Sequence, residues 1–174
     1  MLLLAYANQK NPSFERSINI DPTNKVAYED GGQIWVADSD FKNPKRLTKG
    51  KRYWEDPVWC SDGTKLAFTG VVDEYVGIPE LFGDVDQDLF YYDFTANRLK
   101  RLTTADSQPH SVRGKLTWAP DCKRYAYMNM AGELIIGNTE TNISSIVYKS
   151  GHYGSHVSWS RVGEKILFSE LAGD

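Results

Sequence analysis

Three segments of the chain, each centred on a tryptophan, have nearly the same sequence. They read VWCSDGTKLAF from Val58, TWAPDCKRYAY from Thr117 and SWSRVGEKILF from Ser158. In each, a basic residue stands six positions after the tryptophan and precedes a triplet that ends in Phe or Tyr. Self-similarity at a fixed period is typical of repeat architectures, so this repeat constrains the fold more than any single residue does.

Each copy contains four short stretches of strand composition, which we name A, B, C and D in chain order. In the second copy, A leads into Trp59, B covers 65–69, C covers 88–93 and D covers 98–103. Strand D alternates apolar with charged side chains, as an outer strand with one wet face does. The same C-to-D spacing of 13 residues occurs in three copies, starting at Ile34, Leu89 and Leu134.

Four short antiparallel strands repeated at this period predict an all-β fold, a β-propeller. One blade cannot bury both of its faces, so blades stack around an axis and share a core filled by the repeated tryptophans and B-strand aromatics. The turn-punctuated, β-branched pattern excludes a helical solenoid. We predict complete blades over about 17–49, 57–104 and 115–150, and a partial blade over 156–174.

The repeat also resembles a known family. RLT at 46–48 and 101–103, followed by WCSDGTKLAF from Trp59, is similar to the R-L-T … P-x-W-S-P-D-G-K-x-I-A-F repeat of TolB-like propellers. The resemblance extends from about Ser17 to Phe168, although Cys122 stands where the family has Gly. It implies a propeller fold and a periplasmic or other extracytoplasmic location. It says little about the ligand, because many unrelated proteins use this repeat.

Closure of the ring has two interpretations. The stretch 2–8 has D-strand composition, and Ala7 precedes Asn19 by the same 12 positions that separate Leu47 from Trp59. It could join the partial blade and close a four-bladed ring. Alternatively, the chain is a section of a larger propeller, completed by further sequence or by a second copy in a homo-oligomer. The family resemblance and the missing C strand favour the larger ring.

The second blade is longer than its neighbours. Phe68 and Leu89 are 21 positions apart, whereas Tyr127 and Leu134 are 7 apart. The D–A connection ahead of Trp118 is also longer than the others. Because strand direction alternates, both extended loops emerge on one face. Insertions in single repeats often mark the binding face.

We predict that a protein or peptide binds this face through loops 70–88 and 104–114. Aromatic and arginine side chains are the usual anchors of interfaces. The predicted contact residues are Tyr53, Trp54, Tyr75, Phe82, His110, Arg113, His152 and Tyr153. Since neither a nucleophile elbow nor a Gly-rich phosphate loop occurs, we predict a non-enzymatic module.

Two alternatives to that function stay open. The chain could be the propeller of a larger hydrolase or peptidase, where it gates or presents substrate. It could also be a glycan-binding propeller in which exposed Tyr53 and Trp54 stack on sugar rings. A formal net charge of −3 argues against a nucleic-acid partner. The apolar start at 2–5 is too short for a signal peptide or a membrane span, so we expect no membrane insertion.

Three aspartates and two cysteines are the candidates for metal or thiol chemistry. Asp84, Asp86 and Asp88 alternate along the long loop and could converge on calcium, although a solvated acidic turn is the competing interpretation. No other cofactor is expected. Cys60 and Cys122 fall near equivalent turns of neighbouring copies. A disulfide and two separate buried thiols are the alternatives, and the second is the commoner.

Overall fold

The computed structural model describes residues 18–20, 24–50, 52–71, 87–103, 112–149, 152 and 154–170. Blade 1 comprises β1 (Ile18–Ile20), β2 (Lys25–Asp30), β3 (Gln33–Asp38) and β4 (Lys45–Arg46). Blade 2 comprises β5 (Trp54–Trp59), β6 (Lys65–Val71), β7 (Gln87–Asp93) and β8 (Arg98–Arg101).

The remaining strands form a third blade and part of a fourth. Blade 3 comprises β9 (Val112–Trp118), β10 (Arg124–Asn129), β11 (Glu133–Asn138) and β12 (Ile143–Lys149). Blade 4 is the pair β13 (Gly154–Trp159) and β14 (Ile166–Glu170). Every pairing is antiparallel between strands consecutive in the chain. The prediction of an all-β propeller with three four-stranded blades and a partial one is confirmed. The stretch 2–8 lies outside the described residues.

The core lies between blades. One apolar cluster joins blade 1 to blade 2, a second joins blade 2 to blade 3, and a third joins blade 3 to the partial blade. The repeated tryptophans are packing residues, as the repeat predicts: Trp59 and Trp118 are buried. The Trp118 indole Nε1 donates a hydrogen bond to the Val58 carbonyl at 3.1 Å, which ties blade 3 to blade 2.

The A strands of blades 2, 3 and 4 each contain a bulge. In β5 the pairing with β6 shifts between Glu55 and Val58, and β9 and β13 shift at corresponding places. Asp56 in the bulge has a φ of 55°, in the left-handed region that few non-glycine residues adopt. A bulge re-aims the side chains around it, so these bulges set the directions of the groups at one end of the A strands.

Candidate binding face

One face of the propeller carries the B–C turns and the D–A connections, and we name it the B–C face. Its described residues include 29–32, 47–50, 52–56, 70–71, 87–88, 102–103, 129–133 and 152. The opposite face carries the A–B and C–D turns. Both predicted loops belong to the B–C face, but 72–86 and 104–111 lie outside the described residues, and so do the predicted contacts Tyr75, Phe82, His110 and Tyr153.

Tyr53 lies where blades 1 and 2 meet on this face. Its carbonyl accepts a hydrogen bond from the Val71 amide at 3.0 Å, and its hydroxyl donates to Glu29 Oε1 at 3.1 Å. Its ring covers Gly32, where a Cβ would come within 2.7 Å of Tyr53 Cδ2. Tyr53 is therefore half-buried and seated in the blade junction, with only part of its ring available to a partner.

Trp54 is a core residue, which corrects the prediction that it is exposed in a loop. It begins β5 opposite Gly70 and is 5% exposed. Its indole makes edge-on contacts with Phe68 and Phe90, at centroid distances of 5.4 and 4.8 Å. A tryptophan buried against two phenylalanines contributes to folding and offers no platform for a sugar ring, so the glycan alternative loses its main support.

The other two described contacts differ from each other. Arg113 lies within β9 instead of in a loop, because the strand begins at Val112, earlier than the composition indicates. His152 is exposed on the B–C face, as predicted.

Carboxyl groups gather around the start of β5. Glu55 accepts a hydrogen bond from the Gln87 amide, and Asp56 lies 3.8 Å from the Lys115 ammonium (Oδ1 to Nζ). Burial raises the pKa of Glu55 to about 7, helped by the negative charges of Asp56 and Glu29 and opposed by the Gln87 hydrogen bond. The B–C face thus has a carboxyl cluster in which the pKa of Glu55 lies near neutral pH. The sequence analysis predicted no role for Glu55 or Asp56, because the bulge in β5 is what brings their carboxylates close together.

Asp88 has a structural role that differs from the predicted calcium ligand. It is 1% exposed in β7 and forms an ion pair with the Arg101 guanidinium. Its Oδ1 also accepts a hydrogen bond from Thr103 Oγ1 at 2.7 Å. Because protein groups already occupy its oxygens, Asp88 is a poor candidate for calcium. Asp84 and Asp86 lie outside the described residues.

The two cysteines lie on the opposite face. Both are buried and carry free thiols. Burial, and then the hydrogen bond to Asp62, raise the pKa of the Cys60 thiol to about 12, so this thiol is protonated at neutral pH. The thiols are free and buried, as the favoured alternative predicts, but they are not isolated: the structure brings Cys60 and Cys122 together with Asp62, their ligand atoms within 4.8 Å of one another.

The four-stranded blades define the chain as a β-propeller, and solved structures share this fold. A protein described as a TolB from Agrobacterium tumefaciens superposes with a TM-score of 0.65 and 15% identity, over 89% of this chain and 53% of that one. A chain of the nidogen/laminin complex gives a TM-score of 0.66 at 11% identity, over 88% and 54% of the two chains. Dipeptidyl peptidase 4 from Porphyromonas gingivalis gives 0.63 at 12% identity, over 84% and 28%.

These likenesses confirm the TolB-like propeller prediction at the level of the fold. The chain spans about half the length of the TolB and nidogen/laminin chains it matches. No family model and no curated protein matches the sequence. Across the described ranges, the chain has no helix with the length and apolar character needed to cross a membrane.

Proposed function

We propose that this chain is a non-enzymatic propeller module that binds a protein or peptide on its B–C face. The observation that carries the proposal is the carboxyl cluster of Glu29, Glu55 and Asp56, on the face that bears the two extended loops. Loops 70–88 and 104–114 supply the apolar and aromatic contacts, and the cluster supplies negative charge. The partner is then a segment rich in lysine or arginine.

Tyr75, Phe82, His110, Arg113, His152 and Tyr153 remain the proposed partner contacts. Tyr53 would contact the partner through the exposed part of its ring. Trp54 is buried beneath the face and would contribute only to its packing. The neighbouring structure of the nidogen/laminin complex supports the use of this fold in protein recognition. We also propose a location in the periplasm of a bacterial envelope, which the resemblance to TolB supports and fractionation of the source cells would test.

A loop replacement tests the role of the long B–C loop. Val71 pairs with Gln87 at the end of the β6–β7 ladder, so an Asn-Gly turn can replace 72–86 and close a two-residue hairpin. The probes are two fluorescent peptide pools of equal length, one rich in Lys and Arg and one rich in Asp and Glu. Fluorescence anisotropy should show binding of the basic pool, a loss of that binding in the loop variant, and an unchanged melting curve.

A charge variant tests the carboxyl cluster itself. Asp56→Asn should weaken binding of the basic pool, and added salt should weaken it further by screening. Asp93→Asn is the matched control, because Asp93 ends β7 beside the C–D turn on the opposite face. Equal binding of the acidic pool, or binding indifferent to both the loop replacement and Asp56→Asn, would refute the proposed face.

A second candidate function is the propeller of a larger peptidase. The observation that favours it is the match to dipeptidyl peptidase 4, of which this chain covers 28%. In that case the module would gate or present substrate to a catalytic domain. The full reading frame of the parent gene distinguishes the two candidate functions. A hydrolase domain in the same frame would support the peptidase propeller and exclude a free-standing binding module.

We also propose that a second copy of the chain covers the outer face of blade 4. Leu167 there is 76% exposed, whereas Ala67 and Ala126 at the same repeat position are fully buried. Each repeat contacts only its neighbours, so a further copy of the chain can cover this open sheet face as the next blade covers Ala67 and Ala126. Native mass spectrometry of the purified chain should give a homo-oligomer, and a monomer at all concentrations would contradict this arrangement.

A further inference from the structure

Two A–B turns meet at the junction of blades 2 and 3, on the face opposite the carboxyl cluster. Cys60 lies in the turn after β5, and Cys122 lies in the equivalent turn after β9. The two sulfurs and a carboxylate oxygen of Asp62 all lie within 4.8 Å of one another. Within the described ranges, no other three His, Cys, Asp or Glu side chains converge in this way.

The two turns are held firmly against each other. Ser61 Oγ donates a hydrogen bond to the Pro120 carbonyl at 3.0 Å and lies 3.5 Å from Cys122 Sγ. Lys65 Nζ reaches across to the Cys122 carbonyl at 2.9 Å. These contacts between blades hold the two sulfurs in place before any ligand arrives, so little ordering is needed on binding.

Cys122 occupies a position that otherwise belongs to glycine. Its φ is 54°, and the equivalent residues Gly63 and Gly163 have φ values of 71° and 78°. A residue other than glycine is strained in this region of backbone conformation. The repeat itself does not demand the thiols, since the junction of blades 3 and 4 has Ala119 and Gly163 in their places. A strained, buried thiol aimed at a second thiol is consistent with a site maintained for a purpose.

Asp62 completes the donor set and opens it to solvent. Its Oδ1 accepts a hydrogen bond from Cys60 Sγ at 2.8 Å and from Thr64 Oγ1 at 2.7 Å. The carboxylate is exposed, whereas both sulfurs are buried, so a cation can enter from the turn side. Two thiols and one carboxylate suit a borderline-soft cation and disfavour magnesium or calcium.

We propose that Cys60, Asp62 and Cys122 bind Zn²⁺ and thereby clamp blade 2 to blade 3. Zinc binds thiolate sulfur at about 2.3 Å and carboxylate oxygen at about 2.0–2.2 Å, so its ligands lie roughly 3.5–4 Å apart. The three donor atoms therefore need only small movements. Both thiol protons leave to solvent as the thiolates bind, and water or Thr64 Oγ1 can take the fourth tetrahedral position. This site is independent of the proposed partner face.

The first test adds zinc sulfate to the full chain kept reduced with a phosphine. The melting temperature should rise steeply up to one zinc per chain and only gradually beyond it, because the cation binds the folded state more tightly than the unfolded one. Cobalt(II) in place of zinc should give the intense sulfur-to-cobalt charge-transfer band of thiolate ligation. A wild-type chain that shows neither the rise nor the band would overturn the proposal.

Two variants taken from the chain's own repeat identify the ligands. Cys60→Ala installs the residue found at Ala119, and Cys122→Gly installs the residue found at Gly63. Each should lose the cobalt band and weaken zinc binding by more than about 100-fold, since outer-shell changes alone cost about 10–100-fold. The folds should survive, and Cys122→Gly should melt no lower than wild type without zinc. Retention of the full zinc effect in both variants would place the metal on other residues and refute the site.

The carboxylate has a close control within the chain. Asp93 Oδ1 accepts hydrogen bonds from the Thr95 amide and hydroxyl, as Asp62 Oδ1 does from Thr64. Asp62→Asn and Asp93→Asn should therefore perturb their turns alike, and Asp62→Asn alone should weaken zinc binding. A thiol titration of the unfolded, freshly purified chain adds a further check. Two free thiols support the site, and a disulfide between Cys60 and Cys122 overturns it.

Discussion

The junction of blades 2 and 3 and the outer face of blade 4 use the same repeat position in opposite ways. Ala67 in β6 is fully buried among the rings of blade 3, and Ala126 in β10 is fully buried beside blade 4. The equivalent residue in β14 is Leu167, which is 76% exposed. A following blade leaves room for a methyl group only. No described blade follows blade 4, and the larger apolar side chain of Leu167 is exposed there.

The largest expected effect comes from emptying the closed junction. Trp118 is buried edge-on between Tyr91 and Tyr125, so Trp118→Ala should lower the free energy of unfolding by about 3–5 kcal/mol. Trp159 is half-buried, and its Nε1 donates to Gly163 within its own blade, so Trp159→Ala should cost less than half as much. Urea unfolding followed by circular dichroism measures both. Equal losses would mean that blade 4 is as tightly packed as the inner blades.

Exchange of the small and large residues tests the comparison directly. Ala67→Leu forces a larger side chain into a filled junction and should destabilise the chain by about 1–3 kcal/mol or more. Leu167→Ala removes exposed atoms and should change the monomer's stability by less than about 0.5 kcal/mol. Thermal melts at low protein concentration check both. A large loss in Leu167→Ala at that concentration would show that the outer face is covered within one chain.

Sequence reasoning captured the features set by short-range pattern. Turn residues, alternation and the repeated tryptophans predict the strands, their pairing and their blades, and the repeat period places Ala67 and Leu167 at one position. It failed at Trp54 because the loop composition before Pro57 hides a strand that pairs with Gly70. It left open whether Cys60 meets Cys122, because contact between two turns depends on how the blades stack.

The pH dependence of stability should differ between Glu55, which is partly buried in β5, and a glutamate in the exposed β14. Its pKa in the folded chain is about 7 against an ordinary 4.5, so the associated stability is present at low pH and is lost as pH rises through about 7. Glu55→Gln cannot ionise and should be more stable than wild type by about 1–2 kcal/mol at about pH 8, after allowance for partial exposure. Near pH 4, below the ordinary pKa of 4.5, the two should be alike.

Urea titrations of Glu55→Gln at both pH values measure this difference. Glu170→Gln in the exposed β14 is the control and should follow wild type at both. If Glu55→Gln is more stable than wild type by the same amount at both pH values, the gain in stability comes from packing and not from removal of the buried charge.

The smallest effect on folding should accompany a full loss of assembly. Leu167→Lys places a charge at the centre of the exposed face of blade 4 and should leave the melting temperature of the monomer nearly unchanged. If a second copy covers that face, the lysine is buried in the interface without a partner and association is lost. Native mass spectrometry of wild type and Leu167→Lys at matched concentrations measures whether association is lost.

Val162→Lys is the control, because Val162 is equally exposed but lies in the A–B turn of blade 4. If the oligomer persists in Leu167→Lys and dissociates in Val162→Lys, the contact between copies lies at the turn and not on the sheet face. The difference in exposure between Ala67 and Leu167 would then have no role in assembly.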